Sequence, residues 1–397
     1  MKIARIHSIP VRLPRARDAA LGTAGSPTRL AGAGAGYRRA PTVGALYSPH
    51  FETALIRITL DDGRVGWGEA QAPLAPEVSC TIVDLLLRPV VENADFDGSP
   101  ARIAELWDDM YSTMRVRGQT GGFMLDAISG VDLALWDLAG HIARQPVAAL
   151  LSNTAPRAKV PAYLSGVNGA TPDARVEWAR PFAQAGIRAV KLFHDDTSAA
   201  ILQNLAALQD ALHLDVAVDA LWRLTPASAP EFGLALDRRR ALWLEAPLPP
   251  EDPLAHAALA AAIETPLALG ESYRTCHELQ PFFRTGALKV VQPDLGRCGL
   301  TEGLRIAALA RRHGAAVIPH VSIAMGPQIA AAIHFAAALP ECNLLEFNPT
   351  VFDVANRFLS SPLQFDKDAY VVPHAPGLGA VIQEDNLKSE ILYTRDA

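Results

Sequence analysis

Two hydrophobic periodicities divide the chain. Near the N-terminus apolar and polar positions alternate with the period of a strand, loosely over 2–13 and strongly over 51–60 (FETALIRITL), which runs into the turn DDGRVG. Residues 77–115 and 122–142 switch to helical spacing, so the first third reads as a small sheet followed by helices, an α+β unit. From about residue 159 a second rhythm begins. Short β-rich runs recur at VPAYLS near 160, AVKLF near 189, DVAVD near 215, LWLEA near 242, PLALGE near 266, LKVVQPD near 288, AAVIPH near 315 and NLLEF near 343. Most intervals hold an Ala/Leu-rich amphipathic helix, such as 199–212, 253–263 or 301–313. Most steps are about 22–29 residues, one βα unit each. Eight such strands predict a (β/α)8-type barrel rather than a doubly wound sheet, and no GxGxxG opens the first unit.

Composition narrows the class. The chain has 397 residues, 50% hydrophobic and 20% charged, which is globular rather than disordered. A net charge of −6 offers no basic footprint for nucleic acid or anionic lipid. Cys80, Cys276, Cys298 and Cys342 lie far apart, which predicts neither a disulfide framework nor a zinc knuckle. The opening MKIARIHSIPVRLPRAR places charges and prolines where a secretory signal needs an apolar run, and no stretch is long enough to span a membrane. A cytoplasmic protein without membrane or nucleic-acid partners is expected. The segment 18–46, rich in Gly, Ala, Pro and Arg, lacks the strand and helix that flank a phosphate-binding loop and reads as a surface or lid loop.

Parallel barrels carry their chemistry where strands end. The third, fourth and fifth runs end in Asp219 (VAVDA), Glu245 (WLEAP) and Glu271 (LALGES), each 26 residues after the last. One such carboxylate would read as a solvated loop residue. Three in register converge, repel one another and call for a cation between them; an all-oxygen set favours Mg²⁺. On the second run, strand alternation turns Lys191 and Phe193 into the same face and His194 to the other, the helix side. His320 ends the seventh run (VIPHVS) and Asp294 the sixth (VVQPDLG), so a carboxylate one strand over can fix the imidazole's tautomer and raise its basicity. Glu346 (LLEF) ends the eighth run, free to hydrogen-bond a substrate carboxylate or to pair with Lys191.

These residues, with QPDLGRCGLTEG and the late IPH, resemble the enolase superfamily, and the Asp294–His320 pair resembles the dyad of its mandelate racemase subgroup. The resemblance implies an α+β capping domain over 1–135 with the lid loop 18–46, a modified (β/α)7β TIM barrel over 136–370, and a C-terminal segment 371–397 returning to the cap. It further implies Mg²⁺ bound by Asp219, Glu245 and Glu271, abstraction of a proton α to a carboxylate, an enediolate, and a homo-oligomer. Two departures stand out. Relatives that racemise carry Lys-x-Lys on the second strand, whereas Phe193 cannot accept a proton. Leu221 stands where several relatives have a polar substrate contact. One base, His320, remains, as in the subgroup's acid-sugar dehydratases, while Asp294 stands where muconate-lactonizing and dipeptide-epimerase relatives use a lysine.

The sequence therefore points to Mg²⁺-dependent dehydration of a small-molecule carboxylate, an aldonate or aldarate, to a 2-keto-3-deoxy acid. His320, Asp294 and Lys191 are the catalytic set, and Glu346, Tyr47, His50 and Arg38 the substrate contacts. Two rivals stay open. One is an epimerase or lactone cycloisomerase drawing a second acid from Tyr37 or Tyr47; the other is a barrel that binds an acid sugar without turnover.

Overall fold

The computed structural model describes residues 1–14, 36–39, 45–152 and 154–388. Strands β1 (Ile3–Pro14), β4 (His50–Leu60) and β5 (Val65–Ala70) form an antiparallel sheet in the order β1-β4-β5. Between the first two lies a hairpin of β2 (Arg38–Arg39) and β3 (Leu46–Tyr47), in which Arg38 faces Tyr47. The rest of the segment read as a lid, apart from 36–39 and 45–46, lies outside the described residues.

The helical stretch read over 77–115 is broken. Helix α1 (Pro76–Ile82) runs through a π-helical turn into α2 (Arg88–Val91), and α3 (Pro100–Arg115) begins after a gap in which Asn93 and Gly98 take φ values of 66° and 78°. Proline at the start of α3 and a Ser99 hydroxyl accepting from the Arg102 N–H set the new helix start. Helix α4 (Gly122–Ala143) is buried along most of its length, the mark of an internal helix. It lies directly on β5: a Cβ on Gly68 would sit 2.0 Å from the Gly130 carbonyl oxygen, so only glycine permits this approach. The short α5 (Val147–Leu151) leads to the barrel.

The barrel strands are β6 (Lys159–Leu164), β7 (Ala189–Phe193), β8 (Asp215–Asp219), β9 (Leu244–Glu245), β10 (Leu267–Leu269), β11 (Val290–Val291), β12 (Ala316–Val317) and β13 (Leu345–Phe347). They are parallel in chain order from β6 to β12, and β13 pairs back onto β6. The intervening helices are α6 (Pro172–Ala185), α7 (Ser198–Leu212), α8 (Ala229–Arg238), α9 (Pro253–Ala262), α10 (Cys276–Arg284), α11 (Leu295–Arg312) and α12 (Pro327–Ala338). Among the described residues no ladder joins β12 to β13. There the Glu346 carboxylate accepts the Val321 N–H at 3.1 Å, a side chain linking the seventh strand end to the eighth strand. A short helix α13 (Pro349–Asn356) follows β13.

One interior layer explains the register of the site. Tyr163, Ala189, Ala217, Trp243, Ala268, Val290 and Ile318 fill the barrel, one from each of the first seven strand regions, with Leu344 packed against them. Two residues further along every strand, on the same face, come Ser165, Lys191, Asp219, Glu245, Gly270, Gln292, His320 and Glu346. At Gly270 a Cβ would meet the Gln292 backbone at 2.2 Å, so this step carries no side chain. Glu271 enters one residue later.

After the barrel, the stretch 372–388 returns toward α4. Asp137 on α4 accepts the N–H groups of Trp67 (2.8 Å) and Leu378 (2.7 Å), and Arg57 on β4 pairs with Glu384 at 3.4 Å. Residues 389–397 lie outside the described residues.

Candidate active site

Lys191 stands at the centre, fully buried. Its Nζ lies 2.8 Å from Glu245 Oε1, 3.0 Å from Glu346 Oε1 and 4.0 Å from Asp219 Oδ2, between the rings of Tyr163 and Phe193 at 5.8 and 5.6 Å. Burial alone would lower its pKa, but Glu245 and Glu346 outweigh that and hold it well above the ordinary lysine value. It is a fixed cation. Glu346 therefore pairs with Lys191, and despite burial the lysine and His320 hold its carboxyl down to about 2.

The Glu245 carboxylate is held on both oxygens, since Oε2 accepts from Gln292 Nε2 (2.7 Å) and Trp243 Nε1 (3.1 Å). Asp219 Oδ1 accepts the Leu221 N–H at 2.9 Å. Burial, and then Glu245, push the Asp219 carboxyl well above its usual range, because one lysine does not neutralise this set of acids. A hard divalent cation suits such an all-oxygen set: Asp219, Glu245 and Glu271 fit Mg²⁺ by donor chemistry. Geometry adds a second option. Ligand atoms of Glu245, Glu271 and His320 lie within 4.8 Å of one another, whereas Asp219 is not in that triplet. Asp294 takes only Nδ1 of the imidazole, so its Nε2 faces the carboxylates, while hard oxygen donors remain the better match for Mg²⁺.

His320 Nδ1 lies 2.7 Å from Asp294 Oδ2, and its Nε2 lies 3.2 Å from Glu271 Oε2 and 3.9 Å from Glu346 Oε2. Burial would lower its pKa, but Glu346, the Asp294 hydrogen bond and Glu271 together raise it to about 9. Asp294 is also the N-cap of α11: Oδ1 accepts the Gly296 N–H at 2.9 Å and the Gln328 amide at 2.8 Å. From the N-terminal sheet, Glu69 on β5 accepts the N–H groups of Met325 (2.6 Å) and Gln328 (3.2 Å), so it anchors the start of α12, which supplies Gln328.

The other expected residues separate. His194 faces the helices, with Nε2 3.0 Å from Ser198 Oγ and its ring edge-on to Phe232 at 5.1 Å. Tyr47 lies in the field of the site: burial, then Glu271 and Asp219, raise its pKa. Arg38 faces Tyr47 across the hairpin, and His50 opens β4 with its N–H on Ser48 Oγ. Tyr37 is bound into a polar cluster instead. Its hydroxyl donates to Glu52 (2.9 Å) and accepts from Arg12 (3.2 Å) and the Ala75 N–H (2.7 Å).

Four further site residues escaped the sequence reading: Trp222, whose Nε1 donates to Glu271 Oε1 at 3.2 Å, Trp243, Gln292 and Gln328. Trp243 and Gln292 were within reach, since each lies two residues before a named acid on the same strand face. Trp222 and Gln328 carried no such signal.

Comparison with known proteins agrees with this architecture. The model for the mandelate racemase / muconate lactonizing enzyme N-terminal domain matches residues 36–152, and the enolase C-terminal domain-like model matches 174–386. A D-galactarolactone cycloisomerase of Agrobacterium fabrum is 31% identical, over 84% of this chain and 89% of the relative. An arabinonate dehydratase of Saccharolobus solfataricus is 29% identical, over 87% and 92% respectively. The crystal structure of an enolase-superfamily member from Agrobacterium tumefaciens superposes with a TM-score of 0.90 at 30% identity, covering 97% of this chain and 98% of that one. With a strand-end carboxylate set, a capping sheet and both halves of the family matched along its length, the chain belongs to the mandelate racemase / muconate lactonizing enzyme family of the enolase superfamily.

Proposed function

We propose that this protein is a Mg²⁺-dependent dehydratase of a polyhydroxy carboxylate, an aldonate or aldarate. The observation that carries the reading is the placement of His320. It is tied to Asp294 on one nitrogen and presents the other to the carboxylate cluster, across from a lysine that is permanently charged.

Asp219, Glu245 and Glu271 would hold the cation, which when bound supplies positive charge for the substrate carboxylate and so acidifies the neighbouring C–H. His320 must be neutral at Nε2 to take the α-proton; positive charge held by Glu271 and Glu245 would oppose the carboxylates that raise its pKa. Asp294 on Nδ1 steadies the imidazolium that results. Lys191 adds a fixed positive charge to the site. The imidazolium then returns its proton to the β-hydroxyl, the C–O bond breaks and water leaves. The remaining enol tautomerises to a 2-keto-3-deoxy acid. Phe193 offers no proton on the strand that carries Lys191, which favours elimination over racemisation.

A second reading has a specific observation behind it: the D-galactarolactone cycloisomerase is as similar as the named dehydratases. It shares deprotonation and differs in the acid that ends the reaction. Since the Tyr37 hydroxyl is engaged, Tyr47 is the tyrosine left for that role. The deciding experiment incubates the protein with Mg²⁺ and a library of aldonates, aldarates and their lactones in D₂O. Formation of a 2-keto-3-deoxy acid supports dehydration, and a lactone converted to an isomer of equal mass supports cycloisomerisation. Binding without product or deuterium exchange would return the chain to a non-catalytic sugar-acid binder.

A further inference from the structure

We propose that Trp222 is a positioning residue for the metal site: its indole N–H fixes one oxygen of Glu271 and leaves the other to face the cation position and His320. This rests on the reading of Asp219, Glu245 and Glu271 as the metal-binding set.

Glu271 needs such a device more than its neighbours. It lies off the two-residue alternation of the barrel face, one position beyond Gly270, and its side chain is 23% exposed, against 2% for Asp219, 1% for Glu245 and 3% for Glu346. Glu245 is gripped by Lys191, Trp243 and Gln292, and Glu346 by Lys191 and the Val321 N–H. Among the described residues, Glu271 is met by the Trp222 indole on Oε1 (3.2 Å) and by His320 on Oε2 (3.2 Å). The indole is therefore the donor that orients this carboxylate without competing for its chemistry.

The chain accepts a disfavoured backbone to put the indole there. Leu221 and Trp222 are consecutive non-glycine residues with φ of 52° and 59°, and Ala246, on the neighbouring strand end, has φ of 45°. The turn is locked by the Trp222 N–H on Ala246 O (2.7 Å) and by the Leu221 N–H on Asp219 Oδ1 (2.9 Å). The ring is met edge-on by Tyr273 at 6.4 Å, whose hydroxyl is itself bound to Pro250 O at 2.8 Å. One turn thus serves two ligand carboxylates: its backbone holds Asp219, and its side chain reaches two strands over to Glu271. A left-handed pair in non-glycine residues is what the function of the indole explains.

The test is calorimetric titration of metal-free protein with MgCl₂ alone, alongside thermal melting without metal. Trp222→Phe keeps the ring and removes the donor; it should weaken Mg²⁺ binding by roughly 10–100-fold while melting close to wild type. Trp222→His, which keeps an N–H on an aromatic ring, should bind more tightly than the phenylalanine variant. In a Glu271→Gln background, Trp222→Phe should cause no further loss. Wild-type affinity in Trp222→Phe would overturn the proposal, as would histidine and phenylalanine variants equally weak, or a phenylalanine variant whose metal-free melting collapses. If instead Glu271→Gln itself leaves Mg²⁺ affinity unchanged, the metal-site reading has failed, a different result from failure of Trp222 alone.

Discussion

His320 and Asp294 face each other across a parallel bridge between neighbouring barrel strands, with imidazole Nδ1 2.7 Å from carboxylate Oδ2. The same aspartate caps the helix that follows it, so its second oxygen is spent on the Gly296 N–H and the Gln328 amide. An acid held this firmly orients the imidazole without rearranging when the imidazole gains a proton. His320→Asn should therefore lose about 10²–10⁴-fold in kcat/KM while still binding Mg²⁺. Asp294→Asn should lose less, because the base remains but is less basic and less well aimed. Steady-state kinetics beside metal titration separates the two; near-normal turnover in His320→Asn would move the base elsewhere.

Glu245 takes a lysine on one oxygen and two neutral donors on the other. Glu245→Gln keeps the shape but loses a charge and turns an amide toward those donors. Mg²⁺ affinity should fall by about 10-fold or more and activity with it, while circular dichroism stays native, because the change lies at the barrel mouth. Full activity of this variant in the presence of a chelator would remove Glu245 from the metal site.

Phe193 sits with its ring 5.6 Å from Lys191 Nζ, and that lysine is locked among carboxylates. Neither residue can reprotonate an enediolate from a second face. Substrate recovered part-way through reaction in D₂O should show no C2 epimer by proton NMR. An epimer accumulating as fast as product would reveal another acid, with Tyr47 the first residue to test.

His334 on α12 joins three parts of the chain: Nδ1 accepts the Ala148 N–H at 3.2 Å, and Nε2 donates to Leu378 O at 3.1 Å. Burial pushes its pKa down from 6.5 to about 4, since this arrangement needs the neutral ring. The unfolded chain then binds more protons between those values, so the contribution is complete above pH 6.5 and is lost as pH falls toward 4. At pH 5 the loss is about 2 kcal/mol. Urea unfolding of wild type and His334→Gln at pH 7 and pH 5 reads it. The two proteins should converge at low pH, and a constant gap would show that His334 does not titrate.

Much of the architecture is legible in one dimension, because barrel strands repeat at the length of a βα unit and alternate strictly. That alternation puts Lys191, Asp219, Glu245, His320 and Glu346 on one face, each two residues beyond an interior-layer residue, and turns His194 toward the helices. Helix boundaries were less visible. The stretch 77–115 kept its apolar spacing through a π-helical turn and a left-handed break, since periodicity does not register where backbone hydrogen bonds change partner.

Periodicity along the chain specifies the cast and its phase: a β-rich capping segment, eight short strands, an acid at the end of each of three successive strands, a His–Asp pair, and Phe193 two residues after Lys191. Who holds whom is settled by packing between strands and loops. Glu346 pairs with Lys191, Glu69 reaches from the N-terminal sheet to the helix that supplies Gln328, and Trp222 crosses two strands to Glu271. Alternation is a property of a single strand, set by its own backbone. A hydrogen bond between loops depends on left-handed turns and close approaches that no local pattern encodes.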